Sequence, residues 1–218
     1  MKFPPLIRKL ATPVTNRSPV SGLEPSRLYL YFDALHERRQ LDGSVLEIGC
    51  HRCGTAAIAY RFLEQIGSPR RYVCVDTFGG FESQQFSHDE AGGVSSRHRS
   101  TFSDNSLRLA SYLIKRYGTP EIQLVQADIS TIAADELPDE IVVCLLDVDL
   151  EIPIIDGLNK VLPRLVDGGI ILVDDCGDET VWAGARKGYV QWCTDNGHEP
   201  RFDYGFGIVE KHAASSPQ

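Results

Sequence analysis

The chain of 218 residues is long enough for one domain of ordinary to large size, and its 42% hydrophobic residues can fill a core. It carries 22 basic and 30 acidic residues, and this net charge of −8 argues against a nucleic-acid partner, since such binding depends on Lys and Arg. No apolar run approaches the ~20 residues that span a bilayer, and residues 1–22 lack the continuous apolar stretch of a signal peptide. We therefore predict a cytoplasmic globular protein without a membrane partner.

Residues 1–25 are rich in proline and predict an irregular arm, followed by one domain over residues 26–218. The domain begins with a helix that extends from Pro25 to about Gln40. Short apolar runs then alternate with stretches of helical spacing, which is typical of a parallel sheet covered by helices on both faces. The runs are 45–48, 72–75, 122–125, 141–146 and 170–173, and the clearest helical stretches are 55–66 and 154–165.

The segment 77–103 interrupts this alternation, because it is polar, rich in Gly and Ser, and has neither period. A connection of this length is either a functional lid or a disordered segment. Its four phenylalanines favour a lid, which we expect to be mobile in the free protein and more ordered over a bound ligand. The chain then ends with a helix from about Asp178 and a hairpin over residues 201–211.

The first predicted strand continues into a loop that reads E-I-G-C-H-R-C-G-T over residues 47–55. Gly49 and Gly54 allow the backbone to turn sharply and approach a ligand at the carboxyl edge of the sheet. Asp76, at the end of the second strand, can accept two hydrogen bonds from a ribose diol. Glu47 would repel a pyrophosphate but suits a sulfonium or amino group, so the loop favours S-adenosylmethionine over NAD.

Cys50 and Cys53 in this loop also form a C-x-x-C pattern, which occurs in redox pairs between a strand and a helix. A thioredoxin-like site does not require the surrounding Glu47, Gly49 and Gly54, and no second cysteine pair completes a zinc site. Incidental spacing is therefore the favoured interpretation, with redox or metal chemistry as the alternative.

Acidic residues follow two further predicted strands. Asp147, Asp149 and Glu151 come after the fourth strand, and Asp174 and Asp175 come after the fifth. Because carboxyl groups that converge at one sheet edge repel one another unless a cation lies between them, this pattern predicts a site for Mg²⁺ or a similar ion.

Together, the ordered set E-x-G-x(4)-G, Asp76, D-x-D-L and G-G-x(4)-D-D resembles the macrocin O-methyltransferase (TylF-type) family of class I methyltransferases, which use S-adenosylmethionine. The resemblance extends from about Leu46 to Gln191 and implies an α/β, Rossmann-like single domain whose seven-stranded sheet is mostly parallel and ends in an antiparallel hairpin. It assigns residues to three roles. The cofactor-binding residues would be Glu47, Gly49, Gly54, Thr55, Asp76 and Asp128, the metal ligands Asp147, Asp174 and Asp175, and the catalytic base Asp149.

The resemblance further implies a Mg²⁺-dependent O-methyltransferase that acts on a hydroxyl group of a sugar, oligosaccharide or glycosylated natural product. The sequence departs from the family pattern around the acceptor: Val148 replaces Gly, Glu151 and Cys176 replace Tyr, and residues 50–53 replace V-W-R-G. His88 and His98 are alternative bases if the lid closes. A Rossmann-type NAD-dependent oxidoreductase and a non-catalytic nucleotide-binding protein are the rival functions, and a homodimer is an open alternative to a monomer.

Overall fold

The structure is a computed structural model, and it describes residues 18–178 and 181–212. Most of the predicted N-terminal arm therefore lies outside the described residues, and residues 18–24 form no helix or strand. In the described ranges the α-helices are α1 (Pro25–Glu37), α2 (Gly54–Gln65), α3 (Ser83–Ala91), α4 (Leu107–Arg116), α5 (Glu151–Val161) and α6 (Ala183–Asn196). The strands are β1 (Ser44–Ile48), β2 (Tyr72–Asp76), β3 (Gln123–Gln126), β4 (Ile141–Leu146), β5 (Leu165–Val173), β6 (Phe202–Asp203) and β7 (Phe206–Glu210).

These strands form one seven-stranded sheet in the order β3-β2-β1-β4-β5-β7-β6. The first five strands are parallel, and β7 runs antiparallel to both β5 and β6. The predicted fold class is thus confirmed, including the C-terminal hairpin. The strand order reverses between β1 and β4, where Ile48 lies beside Leu146, and open α/β sheets bind ligands at such a reversal.

Alternate side chains of the strands point to opposite faces of the sheet and build two separate hydrophobic clusters. Val45, Tyr72 and Leu145 pack against α1, α2 and α4 on one face. Leu46 and Val73 pack with α5 and α6 on the other face. Burial on both faces explains why the central strands read as continuous apolar runs in the sequence.

The segment 77–103 is more regular than the sequence indicated, because it contains α3 and a 3₁₀ turn over Ser96–His98. The side chain of Phe86 is fully buried, and the Asp89 carboxylate accepts a hydrogen bond from the backbone N–H of Glu151. The helix was missed because it has no apolar stripe and few residues beyond Phe86 that are buried. Its mobility in solution and its role as a lid stay predictions.

The predicted helices differ from the structure in two further respects. Helix α4 was missed, although Ser106 caps it by accepting a hydrogen bond from the backbone N–H of Leu109. Helix α6 begins at Ala183 and not near Asp178. None of the helices in the described ranges combines the length and apolar character that crossing a bilayer requires.

The C-terminal hairpin is held to α6 by Tyr189. Its hydroxyl lies 2.9–3.2 Å from backbone N–H and C=O groups of Arg201 and Ile208, and its buried ring lies directly over Gly207. A Cβ atom at Gly207 would come within 2.7 Å of that ring. The hydroxyl contacts prevent the ring from moving away, so this position in β7 requires glycine.

We expect Gly207→Ala to lower the free energy of unfolding by about 1–3 kcal/mol, because the added methyl group overpacks the Tyr189 contact. The measurement is equilibrium unfolding in urea, with Gly22→Ala as the matched control because a Cβ atom there would meet no atom within 4 Å. Equal stability of the two variants would contradict this account of the hairpin.

Candidate active site

A pocket of about 540 Å³ lies at the carboxyl edge of the sheet, at the reversal between β1 and β4. Its volume suits a small organic ligand. All ten residues that the sequence assigned to a cofactor, a metal or a catalytic role line this one pocket. They are Glu47, Gly49, Gly54, Thr55, Asp76, Asp128, Asp147, Asp149, Asp174 and Asp175.

The two glycines of the loop after β1 are required by close approach of other backbone segments. Gly49 has a φ of 88°, and a Cβ atom there would lie 1.7 Å from the Asp147 carbonyl oxygen. A Cβ atom at Gly54 would lie 1.8 Å from the carbonyl oxygen of Val20. The first glycine lets β4 end against the loop, and the second lets the N-terminal segment pass over the start of α2.

Asp76 at the end of β2 organises the loop through its carboxylate. One oxygen accepts a hydrogen bond from the backbone N–H of His51 at 2.7 Å, and the other accepts one from Phe78 at 2.6 Å. Each carboxylate oxygen can accept a further hydrogen bond, so these contacts orient Asp76 and leave acceptor capacity facing the pocket.

Glu47 is buried on the floor of the pocket, at 2% exposure. Its carboxyl group accepts a 2.6 Å hydrogen bond from the Tyr72 hydroxyl, which lies 2.7 Å from the hydroxyl of Tyr31. Burial raises the pKa of Glu47 to about 8, although the Tyr72 hydrogen bond acts in the opposite direction. Since burying an unpaired carboxylate is unfavourable, this residue binds either a proton or a cationic group.

The loop after β4 contains a turn that brings the acidic residues together and that the sequence pattern does not predict. Asp149 lies at the centre of a γ-turn, with a φ of 64° and a 2.7 Å hydrogen bond from the backbone N–H of Leu150 to the carbonyl oxygen of Val148. Asp175 also has a positive φ, of 54°. These two left-handed residues turn their carboxylates toward Asp147, so that one oxygen from each of the three lies within 4.8 Å of the other two.

Asp174 is held differently, because it faces Arg27 of α1. The Arg27 guanidinium lies 2.5 Å from a carboxylate oxygen of Asp174 and 3.0 Å from one of Asp175. This arginine lines the pocket and was not among the predicted site residues. The sequence places Arg27 near the start of the first helix. Nothing in that position indicates that its side chain contacts aspartates almost 150 residues later in the chain.

One guanidinium does not neutralise the acidic cluster of Asp147, Asp149, Asp174 and Asp175. In the part of the chain that the structure describes, neither Asp147 nor Asp149 forms an ion pair with Lys or Arg. Burial and the neighbouring carboxylates raise the pKa of both groups well above the usual value. For Asp174, burial and Asp175 outweigh the effect of Arg27 and raise the pKa to about 6.

The far side of the pocket is formed by α3 and by aromatic residues. Gln85 donates a 2.8 Å hydrogen bond to Asp128, which places that carboxylate at the pocket wall. Phe81, Phe102 and Trp182 form an aromatic wall, with ring centroids 5.2–6.1 Å apart. Trp182 falls within the helix predicted from about Asp178, but in the structure it precedes α6 and lines the pocket.

Neither of the two histidines considered as bases lines the pocket. His88 lies 3.1 Å from the carboxylate of Glu151, and His98 packs edge-on against Trp182. His51 does line the pocket, where its ring contacts Phe102. The backbone N–H of His51, which holds Asp76, is therefore its clearest contribution to the site.

The buried acids make a pH dependence of stability testable. Between pH 4.5 and about 8 the native protein keeps a proton on Glu47 that the unfolded chain has released, so stability falls as the pH rises through this range. We expect the Tm of the ligand-free protein to fall by several degrees from about pH 6 to about pH 8, and to fall less in Glu47→Gln. Thermal unfolding measures this, with the exposed Glu64→Gln as control. An identical pH dependence in both variants would contradict the assignment.

The chain is similar to several proteins of known structure and to one protein family. The chain is similar to the structure of the O-methyltransferase NovP, with a TM-score of 0.71 and 15% identity over 86% of this chain and 78% of that one. It is also similar to CalS11, described as a calicheamicin methyltransferase, with a TM-score of 0.67 and 18% identity over 96% of this chain and 94% of that one. An apo structure of CalS11, described as a TDP-rhamnose 3′-O-methyltransferase, matches with a TM-score of 0.57 and 17% identity over 96% and 88% of the two chains.

At these identities the structural matches establish the fold. No curated protein sequence matches the chain. The family of macrocin-O-methyltransferases (TylF) matches residues 32–193, which contain β1 to β5 and every predicted site residue. The chain therefore belongs to the macrocin-O-methyltransferase (TylF) family.

Proposed function

We propose that this protein transfers a methyl group from S-adenosylmethionine to a hydroxyl group of a sugar, oligosaccharide or glycosylated natural product, with the help of Mg²⁺. The observation that carries the proposal is the convergence of all ten predicted residues on one pocket at the strand reversal. The glycine loop, Asp76 and the acidic cluster line this pocket together, an arrangement that suits a donor, a cation and an acceptor hydroxyl group.

Two observations support the fit of S-adenosylmethionine to this pocket. The Asp76 carboxylate is oriented by two backbone N–H groups and keeps acceptor capacity for a ribose diol. Glu47 is a buried carboxyl group whose charged form needs a cation, which a sulfonium or amino group provides. An NAD pyrophosphate would be repelled by the same carboxylate.

We expect Asp76→Ala to weaken binding of S-adenosylhomocysteine by about 1–3 kcal/mol, because a pair of charge-assisted hydrogen bonds is lost. Isothermal titration calorimetry measures the affinity, and Asp139→Ala is the control because Asp139 is exposed and outside the pocket lining. Tighter binding of NAD than of S-adenosylhomocysteine by the unmodified protein would favour the oxidoreductase alternative.

The acidic cluster fits a hard divalent cation. Three carboxylate oxygens within 4.8 Å of one another suit an ion whose opposite ligands are about 4 Å apart. Burial and the neighbouring carboxylates raise the pKa of Asp147 and of Asp149, so a bound cation would favour their ionised forms. The family resemblance assigns Asp147, Asp174 and Asp175 as metal ligands. In the structure, the three carboxylates that lie close enough to share an ion are those of Asp147, Asp149 and Asp175, so only the third ligand differs.

When bound, S-adenosylmethionine supplies an electrophilic methyl group, and Mg²⁺ lowers the pKa of a nearby hydroxyl group. The residues of the chain then have three tasks. The loop and Asp76 position the donor, the acidic cluster holds the cation beside the acceptor, and the Asp149 carboxylate takes the proton that the hydroxyl group loses. Burial and Asp175 raise the pKa of Asp149. A cation beside it would lower this pKa again, so that the carboxylate is ionised and can accept the proton.

Chelation tests the metal. We expect EDTA to abolish methyl transfer and Mg²⁺ to restore it, and we expect Asp147→Asn and Asp175→Asn to lose Mg²⁺ binding in calorimetry. Asp174→Asn and Asp149→Asn distinguish the third ligand, because only the variant that removes it weakens ion binding. Asp104→Asn is the exposed control. Full activity in EDTA would contradict the metal assignment and leave methyl transfer standing.

The aromatic wall supports a sugar acceptor, since the C–H faces of a sugar ring pack against aromatic rings while its hydroxyl groups meet polar residues. We expect Trp182→Ala to raise the KM for a glycoside acceptor about tenfold and to change the KM for S-adenosylmethionine much less. Transfer of a radiolabelled methyl group to glycosides measures this, with matched deoxy-glycosides as controls. The exposed Tyr112→Ala is the control variant. Transfer to simple phenols in preference to glycosides would contradict the acceptor class.

A further inference from the structure

The thiol groups of three cysteines lie close together at the loop that follows β1. Cys50 and Cys53 belong to the loop after β1, and Cys74 lies on the neighbouring strand β2. Their sulfur atoms all lie within 4.8 Å of one another, and those of Cys50 and Cys53 are 3.6 Å apart. All three side chains are buried, at 0–5% exposure. The sequence showed the C-x-x-C pattern but not this third thiol.

The backbone of Cys50 and Cys53 already has a geometry that allows a disulfide bond between them. The backbone N–H of Cys53 donates a 2.7 Å hydrogen bond to the carbonyl oxygen of Cys50, so residues 50–53 form a tight turn. In such a turn the Cα atoms of the first and last residues lie within about 7 Å, which is within reach of a disulfide. Of the three cysteines, only Cys50 is among the residues that line the pocket, and it is 5% exposed.

We propose that Cys50 and Cys53 form a dithiol–disulfide site in the wall of the pocket. Hydrogen peroxide oxidises the pair to a disulfide, a thiol reductant restores the two thiols, and the disulfide weakens cofactor binding. A disulfide is favoured over a bound soft metal ion because of charge. Three thiolates around a monovalent or divalent cation would leave net negative charge among apolar residues and near Glu47, whereas a disulfide is neutral.

The oxidation balances with one molecule of hydrogen peroxide. The sulfur of Cys50 attacks one peroxide oxygen, the O–O bond breaks, and the products are a sulfenic acid and one water molecule. The sulfur of Cys53 then attacks Cys50 Sγ, the S–O bond breaks, and a second water molecule leaves. Both thiol protons end in water, two sulfurs are oxidised and the peroxide is reduced. Hydrogen bonding by the thiols of Cys50 and Cys74 lowers the pKa of Cys53 to about 5, which supports Cys53 as the attacking thiolate of the second step. Burial raises the pKa of Cys50, so we expect its reaction with peroxide to be the slower step.

Closure would disturb the loop that holds Asp76. The two sulfurs must approach from 3.6 Å to about 2 Å, and the residues between them are His51 and Arg52. His51 has a φ of 45° and donates the backbone hydrogen bond to Asp76. Loss of that one charge-assisted hydrogen bond corresponds to about tenfold in affinity. This part of the inference rests on the proposed function.

Peptide mapping tests the site directly. Arg39, Arg52, Arg61 and Arg71 place Cys50, Cys53 and Cys74 on three different tryptic peptides. We expect hydrogen peroxide to link the peptides of Cys50 and Cys53 before Cys144 or Cys193 is oxidised, and dithiothreitol to separate them. S-adenosylhomocysteine should slow the reaction by filling the pocket. Oxidation of Cys144 or Cys193 at the same rate, or no linked peptide, would overturn the site.

Calorimetry with S-adenosylhomocysteine tests the consequence. We expect oxidised protein to bind about tenfold more weakly and reduction to restore the affinity. Cys53→Ser should bind the ligand and keep that affinity in peroxide, whereas Cys193→Ser, a buried cysteine outside the cluster, should respond like the unmodified protein. A linked protein with unchanged affinity would overturn the proposed effect on binding.

If the reduced protein bound no S-adenosylhomocysteine at all, the proposed function would fail. The peptide map would still support or overturn the dithiol site, because it does not depend on that ligand. The peptide map is measured on the unmodified protein. It therefore tests the dithiol site even if a Cys→Ser variant does not fold.

Discussion

The site depends on the crowding of buried carboxyl groups at the carboxyl edge of the sheet. Glu47 and the acidic cluster line one pocket, and among the described residues a single arginine, Arg27, pairs with the cluster. Burial and mutual repulsion raise the pKa of these acids, so the pocket favours protons or cations. A positively charged donor and a divalent ion would relieve this repulsion, which links the stability of the protein to the ligands that we propose.

Parallel pairing concentrates these groups. Strands β1, β4 and β5 end in register, so the residues that follow them, Gly49, Asp147 and Asp174, meet although they are distant in sequence. Gly49 is needed because the backbone of Asp147 lies against it. The chain then uses left-handed residues, Asp149 and Asp175, to turn further carboxylates into the same space. Backbone strain at these positions is consistent with a site whose geometry is selected for chemistry.

The loop that carries the proposed cofactor also carries the cysteines. The backbone of His51 donates a hydrogen bond to Asp76, and the thiols of Cys50 and Cys53 in the same loop lie beside Cys74 of β2. A disulfide between Cys50 and Cys53 would therefore shift the backbone of His51 that holds the Asp76 carboxylate. This coupling requires only the short turn between Cys50 and Cys53, with no large movement of the fold.

The sequence by itself determined the sheet, most of the helices that cover it and the identity of the pocket acids. Its apolar runs reflect burial on both faces, and residues that follow parallel strands must meet at one edge. Helix α3 escaped detection because it buries little beyond Phe86 and Asp89. Only the tertiary structure brought Arg27 to Asp174, Trp182 to the pocket and Cys74 to Cys50 and Cys53. These are contacts between side chains on separate elements, and neither periodicity nor spacing along the chain encodes the distance between them.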